Sequence, residues 1–322
     1  MKKHFSAPAG LVSMAAFLFI PFNIYFSRVV LPDPLMVALA LSALVALETR
    51  HKWLAYVLGA MAVAVKPTAV FLLIPLFLSW RWAILVVLAP FVVWRLWQTI
   101  WPVGMPGSTW LLNGDKIRFK GAFFRWIFGD RLGRLILGYW GLWPAIEGVV
   151  NLPRYLWLIL GGSVLYLFTF ATGNVRHDYY QIPIMPAVAM AVGVGIVVLW
   201  RGTWLKRGLV VVAVGLMLAL GWYEVRGNYQ INNPAILDAG QAANRLLPPD
   251  AIVIADYNGD TAFLYQTNRR GYPNLPLPIE EMIERFNVSY FISTSYNDQT
   301  REIMFKYQVI DEKPGYVIVK LQ

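Results

Sequence analysis

Long apolar runs dominate the first 223 residues, at about 8–26, 34–48, 82–99, 153–172, 178–200 and 205–223. Lipid offers no partner for an unpaired backbone group, so such runs cross it only as helices of roughly 20 residues. Residues 53–80 are apolar throughout but broken at Lys66-Pro67, which predicts two short helices because proline lacks the N–H and disfavours helix before it. Residues 131–150 form a weaker run carrying Arg134, Pro144 and Glu147. Composition agrees: 58% of the 322 residues are hydrophobic and 14% charged, against roughly 45–50% and 25% in soluble domains. An ordinary water-soluble globule is excluded.

The chain has two parts. Up to Tyr223 it holds 19 Lys and Arg against 6 Asp and Glu; beyond it the numbers are 9 and 12. All 14 Trp lie in the first part, as expected where indoles sit at membrane–water interfaces. The net charge of +10 does not indicate nucleic acid, because the cations punctuate apolar runs and do not cluster on a polar face. The absence of Cys excludes disulfides, thiolate metal sites and Cys nucleophiles. P-loop, His-Glu-x-x-His, Gly-x-Gly-x-x-Gly and Gly-x-Ser-x-Gly signatures are also missing.

These runs predict a polytopic α-helical membrane protein of about nine transmembrane helices, with residues 1–226 as the multi-pass part and 227–322 as a small extracytoplasmic α/β domain. A cytoplasmic N-terminus puts Lys2, Lys3, Arg50, Lys52, Arg81, Arg154, Arg201, Lys206 and Arg207 inside, as the positive-inside tendency asks. The same parity places loops 27–33, 100–130 and 173–178, the Lys66 turn and the acidic tail outside the plasma (inner) membrane. The first apolar run reads as a retained helix and not a signal peptide, since no convincing Ala-x-Ala cleavage site follows it and about eight further hydrophobic segments already anchor the chain. In the tail, Ile236–Leu247, Ile279–Phe286 and Asp298–Phe305 read as helices; Ala251–Ala255, Val288–Ser293 and Tyr316–Leu321 read as strands.

Charges beside membrane helices are costly, so the outer ones are candidate functional residues. Asp33, between Pro32 and Pro34 with Arg28 nearby, could serve as a general base toward a hydroxyl or cap the helix that follows. Arg176 and His177, in Arg176-His177-Asp178-Tyr179-Tyr180, could grip an anionic phosphate or belong to an interfacial belt with Asp178 as cap. Lys116, Arg118 and Lys120, with Arg125, Arg131 and Arg134, put many cations where few are expected. They suit a lipid-phosphate loop or an interfacial helix around 119–129 with snorkelling side chains. Lys66 is a possible phosphate contact or a snorkelling helix end. Asp256-Tyr257-Asn258-Gly259-Asp260 reads as a tight turn.

Taken in order, Ser27-Arg28, Leu31-Pro32-Asp33-Pro34-Leu35-Met36, Gly59 and Val65-Lys66-Pro67-Thr68 resemble the middle of GT-C glycosyltransferases, more narrowly the bacterial relatives of protein mannosyltransferases and of the lipid A aminoarabinose transferase. His177-Asp178-Tyr179-Tyr180-Gln181-Ile182-Pro183 and Pro186 resemble the family's His-x-Tyr-Tyr…Pro segment, and Asn268-Arg269-Arg270-Gly271-Tyr272 a piece of its small outer domain. The resemblance implies a membrane enzyme that moves a sugar from a polyprenyl-phosphate donor, as co-substrate, to a lipid, glycan or protein hydroxyl on the outer face. It implies Asp33 as the family's second outer-loop acidic residue, and Lys66 and His177 as positions lining the lipid-phosphate cavity; beside it, Asp33 is read as the catalytic carboxylate and Arg176 and Arg28 as further donor-phosphate contacts, with no residue assigned to a metal. It also implies a preceding helix pair whose outer loop bears the principal carboxylate, yet no acidic residue precedes Asp33. Either Met1 is an internal start in a longer reading frame or the chain is a reduced member. The rival from another class is a non-catalytic scaffold or a transporter of lipid-linked substrates, although collection of charge at one face favours surface chemistry.

Overall fold

The computed structural model describes residues 5–80, 82–101, 109–230, 233–257 and 259–322; Lys2, Lys3, Arg81 and Asn258 of the readings above lie outside them. It divides into two compact units, one ending at Tyr229 and one running from Gln230 to Gln322.

The first unit is helical. It opens with α1 (Ala7–Phe19), whose N-terminal amide at Ala9 is capped by the Ser6 hydroxyl, and α2 (Pro21–Phe26). The apolar run 8–26 is divided because Ile20, forced to extended backbone before Pro21, ends the first helix. Next come α3 (Asp33–Glu48) and α4 (Lys52–Val65). At the expected break, Lys66 is extended, followed by a 3₁₀ segment (Pro67–Phe71) and α5 (Ile74–Ser79). Beyond α6 (Ala83–Ile100), α7 (Trp110–Asn113) and α8 (Gly121–Phe124), the chain winds as a π-helix over Arg125–Ile136. Gly138 and Tyr139, both at positive φ, then turn it into α9 (Leu142–Val150), so 131–150 is not one helix. The unit closes with α10 (Trp157–Thr169), α11 (Ala171–Arg176), a 3₁₀ segment (Asp178–Ile184), α12 (Met185–Trp200) and α13 (Trp204–Val225).

Three helical stretches among the described residues, Ala83–Ile100, Asp178–Trp200 and Trp204–Tyr229, are long and apolar enough to cross a membrane. They differ in role: 78% of the second is buried inside the unit against 11% of the first. The buried stretch is central, α12 packing on both α1 and α9. Glycine makes this approach possible. A Cβ on Gly195 would lie 1.7 Å from the Pro144 carbonyl oxygen and one on Gly148 1.7 Å from that of Ala191, while one on Gly193 would meet Ser13 Oγ at 2.1 Å. Where lipid tails are as apolar as leucine, such backbone-close van der Waals packing holds helices together.

The second unit holds α14 (Ala235–Leu246), β1 (Ile252–Asp256), α15 (Thr261–Thr267), β2 (Arg270–Tyr272), α16 (Ile279–Phe286), β3 (Tyr290–Ser293), α17 (Asp298–Lys306), β4 (Gln308–Lys313) and β5 (Tyr316–Lys320). The strand order is β2-β1-β3-β5-β4, with β1 parallel to β2 and β3, and β5 antiparallel to β3 and β4. Apolar side chains cover both faces: Phe263, Ile292 and Ile318 with α14 and α15 on one, Ile254, Phe291 and Val319 with α16 and α17 on the other. Arg269 closes the C-terminal end of α14, donating to the carbonyl oxygens of Leu247 at 2.7 Å and Asn268 at 3.0 Å and to Asn244 Oδ1 at 3.0 Å.

Candidate functional site

Two helix ends bring Asp33 and Lys66 together. Asp33 is the first residue of α3, where the helix dipole favours an anion, and Lys66 follows the last residue of α4, where it favours a cation. Because α3 and α4 pack as a hairpin, these ends are neighbours. Lys66 Nζ lies 2.7 Å from Oδ1 and 2.8 Å from Oδ2 of Asp33. The carboxylate is fully buried, whereas the lysine side chain keeps 19% of its surface exposed. Asp33 therefore does not cap α3: Pro32 holds the cap position and both carboxylate oxygens go to Lys66. Arg28, the partner suggested by proximity in sequence, is exposed and leaves that role to Lys66.

Aromatic rings extend the site. The Lys66 ammonium stands 4.9 Å from the centroid of Tyr180, a cation–π arrangement. His177 stacks on the same ring at 5.5 Å and 30°, and lies 6.4 Å from Trp110. Tyr180 is itself fixed by Tyr166, whose hydroxyl donates to its carbonyl oxygen at 2.9 Å. Burial, reinforced by the Arg131 and Arg176 charges and opposed by Asp178, holds the His177 pKa below its ordinary value. The lowered pKa favours the neutral imidazole, which offers a hydrogen bond in place of a charge.

Arg176 reaches the same corner, its Nε donating to Asp115 Oδ2 at 2.7 Å while Asp115 Oδ1 accepts from Trp110 Nε1 at 3.2 Å. Asp178 is no cap: the cap position belongs to His177, and Asp178 pairs with the buried Arg131 at 2.6 Å. Arg131 also donates to the Val175 carbonyl oxygen at 2.7 Å, so the π-helix holds the strip 175–178 that presents Arg176 and His177. Its neighbour Arg134 pairs with Asp130 at 2.7 Å and with Glu224.

The three basic residues of the expected lipid-phosphate loop separate by role. Arg118 turns inward, donating to the carbonyl oxygens of Leu112 and Thr169 at 2.9 Å each, so it fastens the loop. Lys116 and Lys120 are exposed. Sequence reasoning missed Asp115, Tyr166 and the Arg131–Asp178 pair. Asp115 carried a signal, being one of only two acids in the basic stretch 109–136. Among the described residues no group of three or more His, Asp or Glu is placed to hold a metal ion.

No family model matches the chain, and no curated protein matches it in sequence. A solved structure does match in fold: the crystal structure of ArnT from Cupriavidus metallidurans bound to undecaprenyl phosphate, at a TM-score of 0.58 over 99% of this chain and 80% of that one, with 13% identity. Identity that low carries the fold and no residue role, so the comparison establishes that the chain shares the overall fold of that structure.

Proposed function

We propose that this chain is a membrane glycosyltransferase that takes a sugar from a polyprenyl-phosphate donor and passes it to a lipid, glycan or protein hydroxyl on the outer face. The observation that carries the reading is the buried Asp33–Lys66 pair set against Tyr180 and His177 at one end of the helices. The shared fold supports it, since the ArnT structure holds undecaprenyl phosphate. The reading takes about nine crossings, with the shorter helices completing the spans, and an extracytoplasmic second unit.

In the reaction the acceptor oxygen bonds to the anomeric carbon as that carbon's bond to the phosphate oxygen breaks, and the lipid phosphate leaves with the electron pair. Its charge needs cations more than an acid. Lys66 meets that need, since its exposed portion can turn from Asp33 to the phosphate, with Arg176 and Arg28 as further cations and His177 as a hydrogen-bond donor. Release of Lys66 leaves the Asp33 carboxylate to accept the acceptor's proton. Until then Asp33 acts as a positioning residue for Lys66.

The experiment is a transfer assay in detergent with a radiolabelled polyprenyl-phosphate sugar, paired with binding of undecaprenyl phosphate. Lys66→Ala is expected to lose both binding and transfer, and Asp33→Asn to retain binding and lose transfer. Unchanged transfer in both folded variants removes the assignment. Activity that requires sealed vesicles speaks for a transporter, because a new glycosidic bond needs no second compartment.

A further inference from the structure

The segment Lys116–Phe128 carries charge that the transfer chemistry leaves unused. Its flanking acids are committed elsewhere, Asp115 to Arg176 and Asp130 to Arg131 and Arg134. Lys116, Lys120 and Arg125 are exposed and form no ion pair among the described residues. Among and just after them stand apolar rings that do not withdraw from the surface: Phe119 is 72%, Phe124 41% and Phe128 44% exposed, the last two stacked at 10°.

The backbone beneath is tied down by hydrogen bonds and strained. Arg118 ties it to Leu112 and Thr169, its own amide donates to Asn113 Oδ1 at 2.9 Å, and the Asp115 amide donates to Thr172 Oγ1 at 3.2 Å. Lys116 and Phe119 hold φ of 50° and 66°, in the left-handed region that side chains other than glycine avoid. Through Arg176–Asp115 and Trp110–His177 this segment belongs to the same end of the helices as the Asp33–Lys66 pair.

Water disfavours three exposed phenylalanines, and hydrocarbon disfavours three unpaired cations. An anionic headgroup layer suits both, with rings at the acyl boundary and cations on the phosphates. We propose that Lys116, Lys120 and Arg125, with Phe119, Phe124 and Phe128, form a binding surface for anionic phospholipid headgroups, separate from the donor site.

The test immobilises the full detergent-solubilised chain and compares retention of fluorescent phosphatidylglycerol and phosphatidylcholine. The wild type prefers phosphatidylglycerol, and each neutralised cation lowers the preference about fivefold, so that K116Q/K120Q/R125Q loses about a hundredfold. Equal retention of the two lipids by the wild type, or an unchanged preference in the folded triple variant, overturns the proposal. Should that variant fail to fold, the wild type in about 1 M salt decides, where screening within roughly 3 Å is expected to abolish the preference; persistence overturns it. Loss of undecaprenyl phosphate binding in the folded K116Q/K120Q/R125Q variant, to the extent seen in Lys66→Ala, would place the surface in the donor site and likewise overturn it.

Discussion

The Asp33–Lys66 pair makes an asymmetric stability prediction. Lys66→Met strands a carboxylate with no exposed surface, whereas Asp33→Asn strands an ammonium whose side chain keeps 19% exposure and can turn toward water. Removing one partner of a buried pair typically costs about 3–5 kcal/mol, because the remaining charge is uncompensated. Lys66→Met should fall near the lower end, about 3 kcal/mol, since the pair is not wholly dry, and Asp33→Asn should cost about half as much. The double variant leaves neither charge stranded, so the cycle should show about 3 kcal/mol of coupling, placing the double variant about 1.5 kcal/mol below the wild type and recovering about half of the Lys66→Met loss. Equilibrium unfolding from mixed micelles, read by circular dichroism, measures all three. The reasoning is refuted if Lys66→Met lies within about 0.5 kcal/mol of the wild type, if Asp33→Asn is the more damaging change, or if the two effects simply add.

Three further outcomes are expected. The lowered His177 pKa means that its contribution to stability is present above the ordinary imidazole value and lost as pH falls through the folded one; the melting temperature between pH 7.5 and 5.5 should therefore drop less in His177→Gln than in the wild type. Gly195→Ala forces α12 away from Pro144 and should cost about 3 kcal/mol or more, seen as a lowered melting temperature, while Gly161→Ala, with open space around its Cβ, should be neutral. Arg269→Lys loses the planar fork that serves Leu247, Asn268 and Asn244 together and should cost about 1.5–3 kcal/mol locally. Hydrogen exchange at the C-terminal amides of α14 checks it, and unchanged protection counts against the cap.

The parts of the fold legible in the sequence were those where one residue's chemistry dominates. Pro67 dictates an end to α4, and the helix stops at Val65. Alternating and helical apolar spacing locates β1, β3, β5, α14, α16 and α17 to within about two residues. Hydropathy was a poor guide to helix ends, since it registers burial in lipid and protein alike. It ran past Pro21 and Pro183, where the backbone breaks or tightens to 3₁₀. It also could not see the left-handed pair Gly138–Tyr139, because Tyr139 gives no local warning of positive φ. The short strands β2 and β4 escaped because β2 spans three residues and β4 is an exposed edge. At the site, Asp33, Lys66 and His177 were each visible as costly charges or motif members. Their partners were not, since Lys66 is 33 residues from Asp33 and Arg176 is 61 from Asp115, and sequence favours near neighbours such as Arg28.

That separation also orders events during synthesis. Asp33 leaves the ribosome 33 residues before Lys66, an interval of roughly a few seconds at 5–20 residues per second. Throughout it the carboxylate is without its native Lys66 partner and must stay solvated at the membrane surface. The fully covered position of Asp33 is thus reached only after α4 has arrived, and α3 settles to its final depth as half of a hairpin, not as a helix inserted alone.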